Sequence, residues 1–124
     1  MSKILIADDE TDIVEMLGMI LGNYGHEVFT ALNGQAAIDT AKKEKPDIIF
    51  LDLCFPKPGP DGVEILEAIR GFDKQVKVVI TSGLDANDER YKKAQTLGAN
   101  KYLSKPLNVS NMKDIINELS RQGA

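Results

Sequence analysis

Five short apolar runs, each separated from the next by a longer amphipathic segment, limit what this chain can become: Ile4 to Ala7, Val28 to Ala31, Ile48 to Leu53, Val76 to Ile80 and Tyr102 to Leu103. Runs of this length bounded by turn residues read as strands. The segments between them carry helical periodicity. Ile13, Met16, Leu17, Ile20 and Leu21 recur at helical spacing before Gly22, Asn23 and Gly25, and Met112, Ile115, Ile116 and Leu119 repeat the pattern near the end. Further helices are expected over Gln35 to Lys45, closed by Pro46, over Gly62 to Gly71 and over Ala86 to Leu97.

Strict alternation of strand and helix implies a parallel sheet with right-handed crossovers and helices on both faces. The character of the runs orders the strands. KILIA, DIIFL and KVVI are nearly continuous in aliphatic residues, as strands buried on both faces must be, whereas HEVFTA and NKYLS are mixed and belong at the edges. The expected fold is therefore an α/β, flavodoxin-like (βα)5 doubly wound parallel sheet with strand order 2-1-3-4-5. Its topological switch point lies between strands one and three, where a ligand binds at the carboxyl ends.

Asp8 and Asp9 follow the first run, Asp52 ends the third and Lys105 follows the fifth, so this fold gathers all four at that crevice. Each has a bland explanation. Asp8 and Asp9 can simply complement the start of the first helix, an effect worth about 0.3 to 1 kcal/mol. Lys105 before Pro106 can be a surface lysine. Asp52 is harder to dismiss, because an unpaired acid inside LDL costs several kcal/mol, and the coincidence of all four at strand ends favours a site.

Carboxylate oxygens suit Mg²⁺, which accepts one or two protein carboxylates and commonly bridges to phosphate. Asp9 and Asp52 are the expected direct ligands, with Asp8 acting through a water. Asp52, projecting from the middle of the crevice, is the expected attacking carboxylate in a phosphoryl transfer that leaves an aspartyl phosphate. Lys105 is then a point charge for a phosphoryl oxygen.

Composition narrows the alternatives. A chain of 124 residues with 43% hydrophobic content supports one core, so a single domain over 1–124 is expected, with no separate output domain. Fifteen basic against nineteen acidic residues give a net charge of −4 without a basic stripe, which argues against direct nucleic-acid binding. No apolar stretch reaches membrane-spanning length and no leader pattern precedes the first run, so no membrane association and a cytoplasmic location are expected. The single cysteine, Cys54, can form neither an internal disulfide nor a redox pair. His26, the only histidine, precedes the second strand and is expected in a surface or turn role away from the crevice.

With these residues in place, the chain resembles the receiver domain of bacterial two-component response regulators over nearly its whole length. The motifs that carry the likeness are ILIADDE, DIIFLDL, PDG before a helix, VVITSG, LGANKYL and KPL. The resemblance implies that Asp52 accepts a phosphoryl group from a histidine kinase, a histidine phosphotransfer protein or a small phosphodonor. It also implies that Asp9, Asp52 and the backbone carbonyl of Cys54 hold Mg²⁺. The family's hydroxyl at the end of the fourth strand falls on Ser82 if Gly83 is the small residue after it, with Thr81 as the fallback.

Tyr102 matches the family's aromatic switch position, although a half-buried edge tyrosine explains it equally. The Lys105–Pro106 bond resembles one that is cis in the family, an arrangement expected to aim Lys105 into the crevice. A downstream target would bind the face made by the fourth helix, fifth strand and fifth helix.

Two departures stand out. LCFPKPGPDG is two residues longer than the usual spacing to the Asp-Gly pair, and Cys54, expected to be buried or half-buried and inert, stands beside the reaction centre. Neither Cys54 nor Leu84, two residues past Asp52 and Ser82, can orient water strongly, so slow self-dephosphorylation is expected. Two rival readings share the fold. A phosphatase of the haloacid dehalogenase class needs a second acid where Cys54 stands, and a flavodoxin-like binding module needs a phosphate cradle that the first loop lacks.

Overall fold

The computed structural model describes residues 2–56, 59–85 and 87–122. Strands β1 (Lys3–Ala7), β2 (Glu27–Ala31), β3 (Ile48–Asp52), β4 (Lys77–Ser82) and β5 (Lys101–Ser104) alternate with helices α1 (Thr11–Asn23), α2 (Gly34–Glu44), α3 (Gly62–Phe72), α4 (Glu89–Thr96) and α5 (Val109–Gln122). All strand pairs are parallel, in the order β2-β1-β3-β4-β5.

The reason for that order is visible in burial. Every residue of β3 is buried, as are all but the first of β1 and β4, whereas β2 and β5 expose much of their length. Side chains of alternate parity enter two separate cores. Ile4, Ile6, Phe50 and Val79 face α1 and α5, through Leu17 and Ile116 among others. Leu5, Ile49, Val78 and Ile80 face α2, α3 and α4, where Ile65, Leu66 and Ala94 meet them. Fully burying one such aliphatic side chain contributes roughly 1.5 to 3 kcal/mol, so the central strands dominate the stability.

The helix ends follow local chemistry. Asn33 caps α2 by accepting the Ala36 N–H, and Lys45 closes it in a left-handed conformation (φ 50°) just ahead of Pro46. Asp61 and Glu64 form a reciprocal capping box that starts α3. Helix α4 begins at Glu89 rather than near residue 86, because Asp88 caps it by accepting the Arg90 N–H. Residue 86, where this helix was expected to start, lies outside the described residues. Strand β4 runs on to Ser82, two residues past the apolar run that signals it.

Between β3 and α3 the backbone makes a close approach. A Cβ at Gly62 would collide with the carbonyl oxygen of Asp52 and the Cα of Leu53. The glycine of the Asp-Gly pair is thus required by contact, and it brings the start of α3 directly against the end of β3. At the opposite edge of the sheet, His26 is half-buried rather than on the surface, and its Nδ1 accepts the Ser2 N–H at 3.1 Å, away from the crevice as expected. Burial lowers its pKa.

Candidate functional site

The ends of β1, β3 and β5 bring Asp8, Asp52 and Lys105 into direct contact. The Lys105 ammonium lies 3.0 Å from Asp8 Oδ2 and 3.1 Å from Asp52 Oδ2. Both acids are buried, at 1% and 2% exposure, so neither is a surface charge that happens to lie nearby. Asp9 is exposed at the rim, and carboxylate oxygens of Asp8, Asp9 and Asp52 all lie within 4.8 Å of one another. Every strand-end acid singled out from the sequence belongs to one cluster.

Backbone groups fix the acids. Asp8 Oδ1 accepts the Glu10 N–H at 3.0 Å, and Asp52 Oδ1 accepts the Cys54 N–H at 3.1 Å. These bonds leave Oδ2 of each residue directed at Lys105. The lysine is itself placed by its main chain, whose N–H donates to the Ser82 carbonyl at 3.0 Å, and the Lys105–Pro106 peptide is cis as the resemblance implies.

Burial pushes the Asp52 carboxyl above its ordinary value and the negative charge of Asp8 adds to that rise, while the Cys54 N–H and Lys105 pull it down. Burial alone would depress Lys105. Hydrogen bonds to Glu10 and Asp8 and the charge of Asp52 outweigh it, and the ammonium is held above its ordinary range. Lys105 is therefore a fixed cation across the physiological range, set against carboxylates that repel one another. The cluster has the donor chemistry of a hard divalent cation site.

Glu10 was not singled out from the sequence, yet its Oε1 lies 3.0 Å from Lys105 Nζ. Its signal was the third acid of DDE, which reads more simply as charge at the start of α1. Ser82 and Thr81 are both buried at the end of β4; Asp52 pairs in register with Thr81, and Ser82 Oγ accepts the Leu84 N–H at 2.8 Å. Tyr102 is partly buried on β5 and stacks on Tyr91 of α4.

The expectation for the Cys54 side chain fails. Cys54 is exposed, and its Sγ accepts a long hydrogen bond (3.6 Å) from Arg90 Nη1. The loop turns the residue after Leu53 outward because Leu53 and Phe55 on either side take the buried positions. Part of the lengthened loop, residues 57 and 58, lies outside the described residues.

Fold and pocket together define a doubly wound α/β domain with clustered carboxylates and one lysine at its topological switch point. Comparison with known proteins makes the class specific. Residues 4–117 match the family model described as the response regulator receiver domain, and the chain belongs to that family.

Among its relatives are sporulation initiation phosphotransferase F of Bacillus subtilis, 33% identical over 92% of this chain and 90% of that protein, and chemotaxis protein CheY of Treponema pallidum, 40% identical over 85% and 73%. The alkaline phosphatase synthesis transcriptional regulatory protein PhoP of Bacillus subtilis is 39% identical, but the chain spans only 42% of its length. A CheY-like receiver domain from Methanospirillum hungatei superposes with a TM-score of 0.88 at 26% identity, covering 98% of this chain and 96% of that one.

The protein is accordingly a phosphorylation-dependent switch of two-component signalling, in a family phosphorylated by histidine kinases that passes signals to downstream effectors, and it is not an enzyme in the ordinary sense. No described helix is long and apolar enough to cross a membrane.

Proposed function

We propose that Asp52 is the phosphoacceptor, that Asp9, Asp52 and the backbone carbonyl of Cys54 bind Mg²⁺ with Asp8 acting through water, and that Ser82 and Lys105 engage the phosphoryl group. The observation that carries this reading is the burial of Asp52 in contact with Lys105, with Asp8 and Asp9 within 4.8 Å. The oxygen-only donor set fits a hard divalent cation, whose positive charge, when bound, lowers the cost of bringing an anionic donor to an anionic acceptor.

In the transfer, a carboxylate oxygen of Asp52 forms a bond to phosphorus. The bond from phosphorus to the donor's imidazole nitrogen, or to the oxygen of an acyl phosphate, breaks, and its electron pair leaves with the donor. Lys105 balances charge on the phosphoryl oxygens and exchanges no proton. Thr81, which pairs in register with Asp52 and so shares its face of the sheet, is the alternative hydroxyl to Ser82. Tyr102 reports the new charge to the surface of α4, β5 and α5, where a downstream protein binds. The donor is a histidine kinase or histidine phosphotransfer protein in the cytoplasm, and self-dephosphorylation is slow because neither Cys54 nor Leu84 orients water.

The test is incubation with acetyl phosphate and Mg²⁺, followed by intact-protein mass spectrometry. Wild type is expected to gain one phosphoryl group and Asp52→Asn none. Equal labelling of the two proteins would refute the assignment, and a lifetime of seconds, unchanged in Cys54→Asn, would refute slow hydrolysis.

A further inference from the structure

Three carboxylates share one ammonium in this crevice, and they are not equivalent. A lysine has three N–H donors, and here Asp8, Glu10 and Asp52 take them at 3.0, 3.0 and 3.1 Å. A phosphoryl group on Asp52 brings further acceptor oxygens and more negative charge to the same ammonium. One phosphoryl oxygen can take the place of Asp52 Oδ2, and any second contact from the ammonium to the phosphoryl group displaces Asp8 or Glu10.

Asp8 is the wrong one to release, because its side chain is 2% exposed and would be left as a buried charge without its counter-ion. Glu10 is 50% exposed, so water can replace the lysine at once. It stands at the N-cap position of α1 yet makes no side-chain cap hydrogen bond, so its departure takes nothing from the helix end. There is also room for it. A cavity of about 280 Å³ opens beside the bond, lined by Ile13, Pro106 and Leu107 together with Asp8, Glu10 and Lys105.

We propose that Glu10 is a positioning residue: it holds the Lys105 ammonium before phosphorylation and lets go of it when Asp52 is modified. The proposal rests on Asp52 being the acceptor. Glu10 thereby acts as a placeholder for the phosphoryl group. It keeps the lysine extended over Asp52, and its release is a step that opposes modification. The residue transfers no proton and forms no bond to phosphorus.

The experiment compares initial rates of acetyl phosphate labelling, with Mg²⁺ present, in wild type, Glu10→Gln, Lys105→Met and the double variant. Asp12→Asn serves as a control that removes an equal charge from the exposed first turn of α1. Glu10→Gln is expected to label faster by about two- to fivefold, the factor set by one exposed ion pair. In the Lys105→Met background the same substitution is expected to change nothing.

A second readout follows the Lys105 ammonium by ¹⁵N NMR, which is expected to shift on phosphorylation of wild type and by less in Glu10→Gln. Acceleration of equal size without Lys105, or in Asp12→Asn, would overturn the proposal by showing a general field effect, and so would an unchanged rate in Glu10→Gln. Wild type that takes up no phosphate on Asp52 would instead overturn the acceptor assignment itself, a result seen before any variant is compared.

Discussion

Tyr102 lies flat against Tyr91, ring centroids 4.4 Å apart and 21° from parallel, and its hydroxyl is buried with no hydrogen-bond partner among the described residues. Stacking holds the ring inward at the expense of the hydroxyl, whose lost hydration costs about 1 to 3 kcal/mol. Tyr102→Phe keeps the stack and removes that cost. It is expected to stabilise the unphosphorylated protein by about 1 kcal/mol, read from the urea midpoint at constant m-value. A loss of stability would mean that the hydroxyl is satisfied in solution.

Asp52 makes a pH-dependent contribution of opposite sign to the usual acid. Burial, reinforced by Asp8, raises its folded-state pKa above the ordinary 3.8, so the folded protein binds this proton more tightly than the unfolded chain. Between the two values stability falls as pH rises, and the deficit persists at neutral pH. Asp52→Asn is therefore expected to stabilise the protein near pH 7, by an amount that shrinks as the pH approaches 3.8. Denaturant titrations across that interval check the slope, and a gain that grows toward acid would contradict it.

Gly62 and Gly71 sit at opposite ends of α3 and should respond in opposite directions. Alanine at 62 drives a methyl group into the backbone of Asp52 and Leu53. A loss of about 2 kcal/mol or more is expected, together with slower labelling of Asp52. Alanine at 71 meets open space inside a helix and is expected to add roughly 0.5 to 1 kcal/mol. Thermal melts of the two variants, with mass spectrometry of the labelled protein, separate the effects.

Arg70 joins three parts of the chain through one guanidinium. Nη1 donates to the carbonyls of Asp73 and Val76, and Nη2 donates to the carbonyl of Gly98 and to Asn100 Oδ1. Asn100 Oδ1 in turn accepts the Val78 N–H. Arg70→Ala is expected to cost about 2 to 3 kcal/mol by leaving partly buried acceptors unmatched. Lysine should recover little, because it lacks the planar fork. Equilibrium unfolding of the two variants tests this.

Much of the sheet could be read from residue type alone. The contrast between the aliphatic KILIA, DIIFL and KVVI and the mixed edge runs anticipates the strand order, since burial on both faces excludes polar side chains at the centre. Asp8, Asp9, Asp52 and Lys105 were legible because strand ends in a parallel sheet converge, and they do converge.

What escaped the sequence depends on side-chain direction and reach. Glu10 belongs to a loop whose course only the folded backbone determines. Cys54 points outward because Leu53 and Phe55 compete for the interior, a contest that apolar content alone does not decide. The start of α4 was misplaced because several turn-forming residues precede it and only hydrogen-bond geometry selects Asp88. Arg70 gives no periodic signal, since its partners lie as far away as residue 100.

The capping box of Asp61 and Glu64 has a consequence for the extended loop before it. Because α3 is nucleated by its own first residues and pressed against the strand end at Gly62, the loop upstream need not measure out where the helix begins. The placement of α3 against the sheet is thereby set independently of the length of that loop. That makes the segment a natural place for related chains to differ in length, and a reasonable point at which to insert a reporter peptide while leaving the acidic pocket intact.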